Sequence, residues 1–375
     1  MLADTDVMRK PMPDLLKNMY NPDSILKLAQ DLKAVYEPFE TEAFYQTILS
    51  DKWENLELKE RINHIALTLK DFLPPDYPGA LEVLNGIVEN YGTWLDGFAF
   101  FIPTFVEMFG LEEENWELSI NALAKYTRYS SAEFAVRPFI IMDEKRMMGQ
   151  MMEWSNSEDE HLRRLSSEGC RPQLPWAQSL PHFKKDPSPI FPILENLKND
   201  ESLTVRRSVA NNLNDISKTH PNLVASLAKE WYGKTEETDW VVKHACRTLL
   251  KKGNKEVLEI FGFHDADAVL VEHFSLSHQE IPIGSRLTIS LSVRAKEETK
   301  VRLEYGIDYM KANGKPSRKI FQISEGAFLE NQVKDYEKNH SFADLSTRKH
   351  YPGQHAIVLI VNGEEKEKIE FMVSD

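Results

Sequence analysis

Two cysteines, Cys170 and Cys246, are all that this 375-residue sequence contains. Two thiols with no paired spacing argue against a disulfide framework and against a zinc site, and they point to a reducing compartment. Long apolar runs are lacking too: none approaches the ~20 residues that a membrane span needs. The stretch Met1-Leu-Ala-Asp-Thr-Asp-Val-Met-Arg-Lys10 is too polar for a signal peptide. A soluble, cytoplasmic protein without a membrane partner is expected. The histidines form no HExxH pattern and no close ligand pair, and there is no Walker loop, no GxGxxG after a strand and no GxSxG elbow. Neither a metal nor any other cofactor is therefore expected.

Net positive charge is also missing. The formal charge of -14 argues against indiscriminate nucleic-acid binding. The deficit is uneven: residues 1–124 carry 9 basic against 22 acidic side chains, residues 125–252 carry 20 against 17, and residues 253–375 carry 16 against 20. A basic middle third beside an acidic first third would draw an anionic ligand to the middle.

The length exceeds what one core usually supports, and 42% hydrophobic content is ample for two. Up to about residue 262 apolar residues recur at helical spacing, broken at Tyr20-Asn-Pro22, Leu73-Pro-Pro-Asp76 and Lys198-Asn-Asp-Glu201. From about residue 266 the pattern becomes alternation, as in Arg286–Val293, Lys300–Tyr305, His355–Val361 and Lys368–Val373. Turn signals punctuate it at Ile283-Gly284, Asn313-Gly314, Pro352-Gly353 and Asn362-Gly363. The fold class expected is multidomain α and β. An all-α, HEAT-like repeat solenoid over residues 1–264 precedes a small antiparallel β-sandwich over residues 265–375, Ig-like in shape but without the inter-sheet bridge.

Internal repetition supports the solenoid. Leu162-Arg-Arg164, Val205-Arg-Arg207 and Val242-Lys-His244 each follow a polar break suited to a helix N-cap, and each is preceded by an apolar helix: Arg146–Trp154, Ile190–Leu197 and Leu223–Trp231. The unit is a helix hairpin, and its second helices should line one wall. In the second of them, read VRRSVANNLNDI, Val205, Val209, Leu213 and Ile216 share one face at 100° per residue. Arg207, Asn211, Asp215 and Lys218 form a stripe away from it that is expected to face outward.

Glu133 with Arg137, Arg164 with Glu168, and Asn211 with Asp215 fall at i, i+4. Any one such pair is ordinarily a weak surface contact. Their coincidence in successive repeats suggests a cleft with carboxylates held among arginines. Residues 168–189 form a long loop with prolines at 172, 175, 181, 187 and 189, and loops of this length inside repeats tend to be functional. Trp176 in that loop either plugs an inter-repeat gap or offers its aromatic face to a cationic or planar ligand. Trp240 invites the same two readings, with packing favoured. Met147–Met152 and the Phe-rich run from Asp96 to Phe109 read as core.

Taken together, Ser131-Ala-Glu-Phe-Ala-Val-Arg-Pro138, Arg171-Pro-Gln-Leu-Pro-Trp176, VRRSVANNLNDI and the β-rich C-terminus resemble the AlkC-type bacterial DNA alkylation-repair glycosylases, relatives of AlkD built from HEAT-like repeats. The resemblance spans nearly the whole chain. It implies a monofunctional glycosylase, acting in base excision repair, that hydrolyses the N-glycosidic bond of cationic N3-alkylated bases in duplex DNA, chiefly 3-methyladenine, with 3-methylcytosine also handled by such members. Carried over by motif, the catalytic carboxylate is Asp215, the cleft glutamates are Glu133 and Glu168, and the lesion-facing tryptophan is Trp176. Arg137, Arg164, Arg171, Arg207, His244 and Arg247 are the candidate DNA-binding cations. The lesion would be approached across the exposed surface of a bent duplex, with the loops near Asn313-Gly314 and Lys349–Gly353 gripping its minor-groove side. A monomer is expected. Two other classes compete: a HEAT scaffold for protein partners, which the net charge favours, and a sensor that binds alkylated DNA without cleaving it.

Overall fold

A computed structural model describes residues 16–90, 98–345 and 348–375. Met1–Lys10, and Asp96 at the head of the Phe-rich run, lie outside these residues. Two compact units divide the chain between Asn212 and Leu213.

Helices fill the described residues of the first unit, and their starts follow local chemistry. Asn21 caps the helix Pro22–Val35 in a reciprocal capping box with Ser24, and the Asp76 carboxylate accepts the Gly79 amide at the head of Tyr77–Ile87. Proline at each first turn costs no hydrogen bond, since the amide it lacks has no partner there. Glu144–Ser155 packs on Glu160–Gly169, and Phe191–Leu197 packs on both. The apolar helices expected at Arg146–Trp154 and Ile190–Leu197 are thus present. Met147, Met148 and Met151 are buried, as are Phe101 and Phe105 in the Phe-rich run. A polar ladder stitches neighbouring repeats: Ser167 Oγ bonds Ser208 Oγ at 2.8 Å, and Asn212 donates to the Ser167 carbonyl at 2.8 Å.

The helix Leu203–Ile216 buries the predicted apolar face, with Val205, Val209, Leu213 and Ile216 all at 2% exposure or less. Each such side chain contributes roughly 1.5–3 kcal/mol on leaving water. The opposite stripe departs from expectation: Arg207 and Lys218 are exposed and Asn211 is half-buried, but Asp215 is only 2% exposed. Periodicity assigns a side chain to a face, whereas its access to water depends on what packs over that face.

In the second unit, Pro221–Trp231, Glu236–Ala245, Arg247–Lys251 and Lys255–Ile260 precede eight strands. These are β1 (Val269–Leu276), β2 (Glu280–Pro282), β3 (Arg286–Ala295), β4 (Thr299–Met310), β5 (Pro316–Phe328), β6 (Val333–Ser341), β7 (Gly353–Val361) and β8 (Glu364–Ser374). One sheet runs β1-β3-β6 and the other β2-β8-β7-β4-β5, antiparallel throughout except where β2 lies parallel to β8. Strict alternation along β3 buries Leu287, Ile289, Leu291, Val293 and Ala295 in one core shared with the facing sheet. Asn362 and Gly363 have φ of 46° and 81°, so the β7–β8 hairpin closes in two residues. This is the Ig-like sandwich expected. Polar bonds join it to the helices before it: Lys300 Nζ to the Phe261 carbonyl at 2.8 Å and Lys243 Nζ to Glu325 at 2.6 Å.

Candidate functional site

Three candidate residues of the first unit, Glu133, Glu168 and Trp176, line one half-open cavity of about 290 Å³, together with Lys59, Phe134, Arg171 and Leu174. Sequence reasoning anticipated a broad wall without a deep pocket; the loop 168–189 supplies part of the concavity.

Each glutamate takes a cation from outside its own i, i+4 register. Arg164 Nη2 donates to Glu133 Oε2 at 2.6 Å, and Ser131 Oγ donates to the same oxygen at 2.6 Å. Arg171 Nη1 donates to Glu168 Oε1 at 2.6 Å, with both side chains 8% exposed. Carboxylates held this way have their orientation fixed.

Trp176 is 66% exposed, which excludes the reading of a buried plug. Its conformation follows from Leu174-Pro-Trp-Ala177. The Ala177 amide donates to the Leu174 carbonyl at 3.2 Å, Pro175 sits second and Trp176 third with φ of 65°. That third position in a type II turn needs positive φ and usually carries glycine. A bulky residue there costs on the order of 1–2 kcal/mol. Such strain persists only when the surroundings impose it, and it clusters where function requires it. Lys59 Nζ, from the first turn of Leu58–Phe72, donates to the Trp176 carbonyl at 2.6 Å and lies 5.2 Å from the Phe134 ring centroid.

Arg137 is a correction. It is 0% exposed, donating through Nε to the Gln178 carbonyl at 2.5 Å and through Nη1 to the carbonyls of Gly169 and Arg171 at 2.8 and 2.9 Å. A guanidinium enclosed by the backbone of loop 168–189 ties that loop down and is not accessible to a phosphate. Arg171, 7% exposed and paired with Glu168, is likewise internal. Arg207 is exposed, as a phosphate contact requires.

In the second unit, Lys218 Nζ bonds Asp215 Oδ1 at 2.8 Å; the Asp215 side chain is 3% exposed and that of Lys218 is 40% exposed. Trp240 and His244 stack with ring centroids 5.1 Å apart and planes 6° from parallel, and Arg247 donates to the His244 carbonyl at 2.6 Å. These three and Lys243 border an open cavity of about 620 Å³. Trp240 is therefore half-buried against His244. Both thiols are internal, and burial pushes Cys170 and Cys246 up to about 12, which leaves them protonated and unreactive at neutral pH.

Sequence reasoning missed Lys59 and Ser131. Ser131 lies in a motif singled out for its neighbour Glu133. Lys59 stands more than a hundred residues from its partner Trp176 in a generic amphipathic helix and carries no local signal.

Stacked helix hairpins with an acid, arginine and tryptophan cavity, joined to an Ig-like sandwich, define a helical-repeat protein of the DNA alkylation repair class. Residues 124–249 match the family described as DNA alkylation repair enzyme, and residues 270–375 match that described as the C-terminal Ig-like domain of the uncharacterised protein YhaZ. Over 96% of this chain and 99% of the relative, the sequence is 45% identical to the uncharacterized protein YhaZ of Bacillus subtilis (strain 168). A solved Pseudomonas fluorescens alkylpurine DNA glycosylase, AlkC, bound to DNA containing an abasic site analog, superposes with a TM-score of 0.92 at 33% identity, covering 96% of this chain and 100% of that one. The chain belongs to the AlkC-type family of DNA alkylation repair proteins. No helix among the described residues is long and apolar enough to cross a membrane.

Proposed function

We propose that this protein is a monofunctional DNA glycosylase that hydrolyses the N-glycosidic bond of cationic N3-alkylated bases, 3-methyladenine foremost and 3-methylcytosine beside it, in duplex DNA. The observation that carries the reading is the exposed, strained Trp176 beside a cavity walled by the oriented carboxylates Glu133 and Glu168. A base alkylated at N3 is already positive, so its bond to the sugar is weak and departure needs no proton. The enzyme must instead favour a cation and steady the oxocarbenium-like sugar that forms. Two carboxylates and an indole face favour a cationic base over a neutral one.

Asp215 stabilises the sugar cation and positions or deprotonates the attacking water. Lys218 Nζ, 2.8 Å from Oδ1, holds this carboxylate in a fixed orientation, which supports the role. Arg207, His244 and Arg247 hold phosphates, while Arg164 and Arg171 act by orienting the glutamates. The helical residues 1–264 carry catalysis and DNA contact, and residues 265–375 brace the duplex from the minor-groove side. The protein acts as a monomer.

Single-turnover release of methylated bases from alkylated duplex DNA tests the reading. The unaltered protein releases 3-methyladenine, and Asp215→Asn lowers the rate by about 10²–10⁴-fold while DNA binding persists. Binding without release by the unaltered protein would instead identify a damage sensor, and neither binding nor release a scaffold.

A further inference from the structure

We propose that Lys59 is a positioning residue for Trp176, holding the indole in its working orientation through the backbone of the turn that carries it; the proposal rests on the glycosylase reading above.

Two fixed points define the loop. Arg137 binds the carbonyls of Gly169, Arg171 and Gln178, which secures both shoulders but leaves the tip to itself. At the tip, the only donor to the Trp176 carbonyl found among the described side chains is Lys59 Nζ, at 2.6 Å. With φ of 65° the turn is type II; with negative φ it becomes the commoner type I, and Cβ and the indole re-aim. Intrinsic preference favours the second, so something outside the turn must favour the first. The two turns interconvert by a flip of the Pro175–Trp176 peptide, while the Trp176–Ala177 peptide keeps its place; Lys59 pins that second peptide through its carbonyl and so fixes the point from which the indole projects at the cavity.

Lys59 is itself steadied. Its ammonium lies 5.2 Å from the Phe134 ring centroid, and Glu107 is close enough to feel its charge. Burial raises the Glu107 carboxyl above its ordinary range, and Lys59 opposes that rise.

The test compares Lys59→Met, which keeps the stem and removes the donor, with Lys59→Arg, which restores one. Lys59→Met lowers single-turnover excision about fivefold, the scale of losing one charge-assisted hydrogen bond in a partly solvated setting, and Lys59→Arg recovers most of it. Affinity for duplex DNA and its salt dependence stay unchanged, because no phosphate contact is removed. In a Trp176→Ala background, Lys59→Met has no further effect on excision. The second readout is independent of catalysis: the Trp176 contribution to fluorescence anisotropy, obtained by difference from Trp176→Phe, falls in Lys59→Met and returns in Lys59→Arg. Unchanged anisotropy, or an excision loss that persists undiminished without the indole, overturns the proposal. Absence of excision by the unaltered protein defeats the glycosylase reading instead, and the anisotropy still decides whether Lys59 holds Trp176.

Discussion

Arg164 reaches Glu133 across 31 positions of sequence, Nη2 to Oε2 at 2.6 Å, while its Nη1 donates to Ser131 Oγ at 2.9 Å. The arginine, the serine and the carboxylate form one closed unit in which the guanidinium orients an acid. An arginine used this way differs from one that grips DNA, and the two uses make separable predictions.

Arg164→Ala is expected to lower excision about tenfold or more, because a half-buried carboxylate loses its charge-assisted partner. The slope of log K against log[salt] for DNA binding should stay as it was. A slope reduced by about 0.9 would return Arg164 to the role of a phosphate contact.

Arg207→Ala should show the opposite pattern. The side chain is exposed on the helix Leu203–Ile216, so its loss leaves the fold intact. Binding weakens similarly for all sequences, and the salt slope drops by about 0.9. Salt titrations by fluorescence anisotropy of labelled duplex distinguish the two variants, and an unchanged slope would remove Arg207 from the DNA interface.

Gly363→Ala is expected to destabilise the second unit. Gly363 has φ of 81°, and a Cβ there would lie 2.7 Å from Leu258 Cδ1 and 2.8 Å from Gly253 Cα. Strain and overpacking together cost about 2 kcal/mol. Thermal or urea denaturation reads this directly, and wild-type stability in the variant would show that the close approach of the hairpin tip to Gly253 is dispensable.

Acid should loosen the sandwich. His340 bonds the hydroxyls of Tyr305 and Tyr309, and burial, aided by Arg348 and His350, lowers its pKa to about 4. His350 and His355 are lowered as well, burial being the first cause in each. With folded values beneath the unfolded ~6.5, these imidazoles stabilise the fold in their neutral form. The contribution is complete above about pH 6.5 and is lost as pH falls toward about 4, where the unfolded chain takes up protons that the folded one refuses. Melting temperatures between pH 7.5 and 4.5 should decline, less steeply in His340→Gln. A flat profile in the unaltered protein would contradict this.

Much of the architecture is local in origin and was legible. The hairpins at Glu144–Gly169 and Pro221–Ala245 follow from apolar spacing and polar caps, and the β7–β8 turn follows from Asn362-Gly363, because each depends on neighbours within a few residues. β5 and β6 carry no comparable apolar alternation: Val333–Ser341 is charged or polar at most positions and half in water, and it forms a strand by pairing with β3.

The site divides along the same line. Sequence by itself determined which residue types gather in the repeats, including the carboxylates, the arginines and a tryptophan in a proline-rich loop. Tertiary structure alone decided their state: Asp215 went inside, Trp176 stayed out, Arg137 was enclosed by carbonyls, and Lys59 met Trp176 across 117 positions. The reason is physical. Periodicity and turn chemistry act over a few residues, whereas burial and hydrogen-bond partnership depend on packing between segments far apart in the chain.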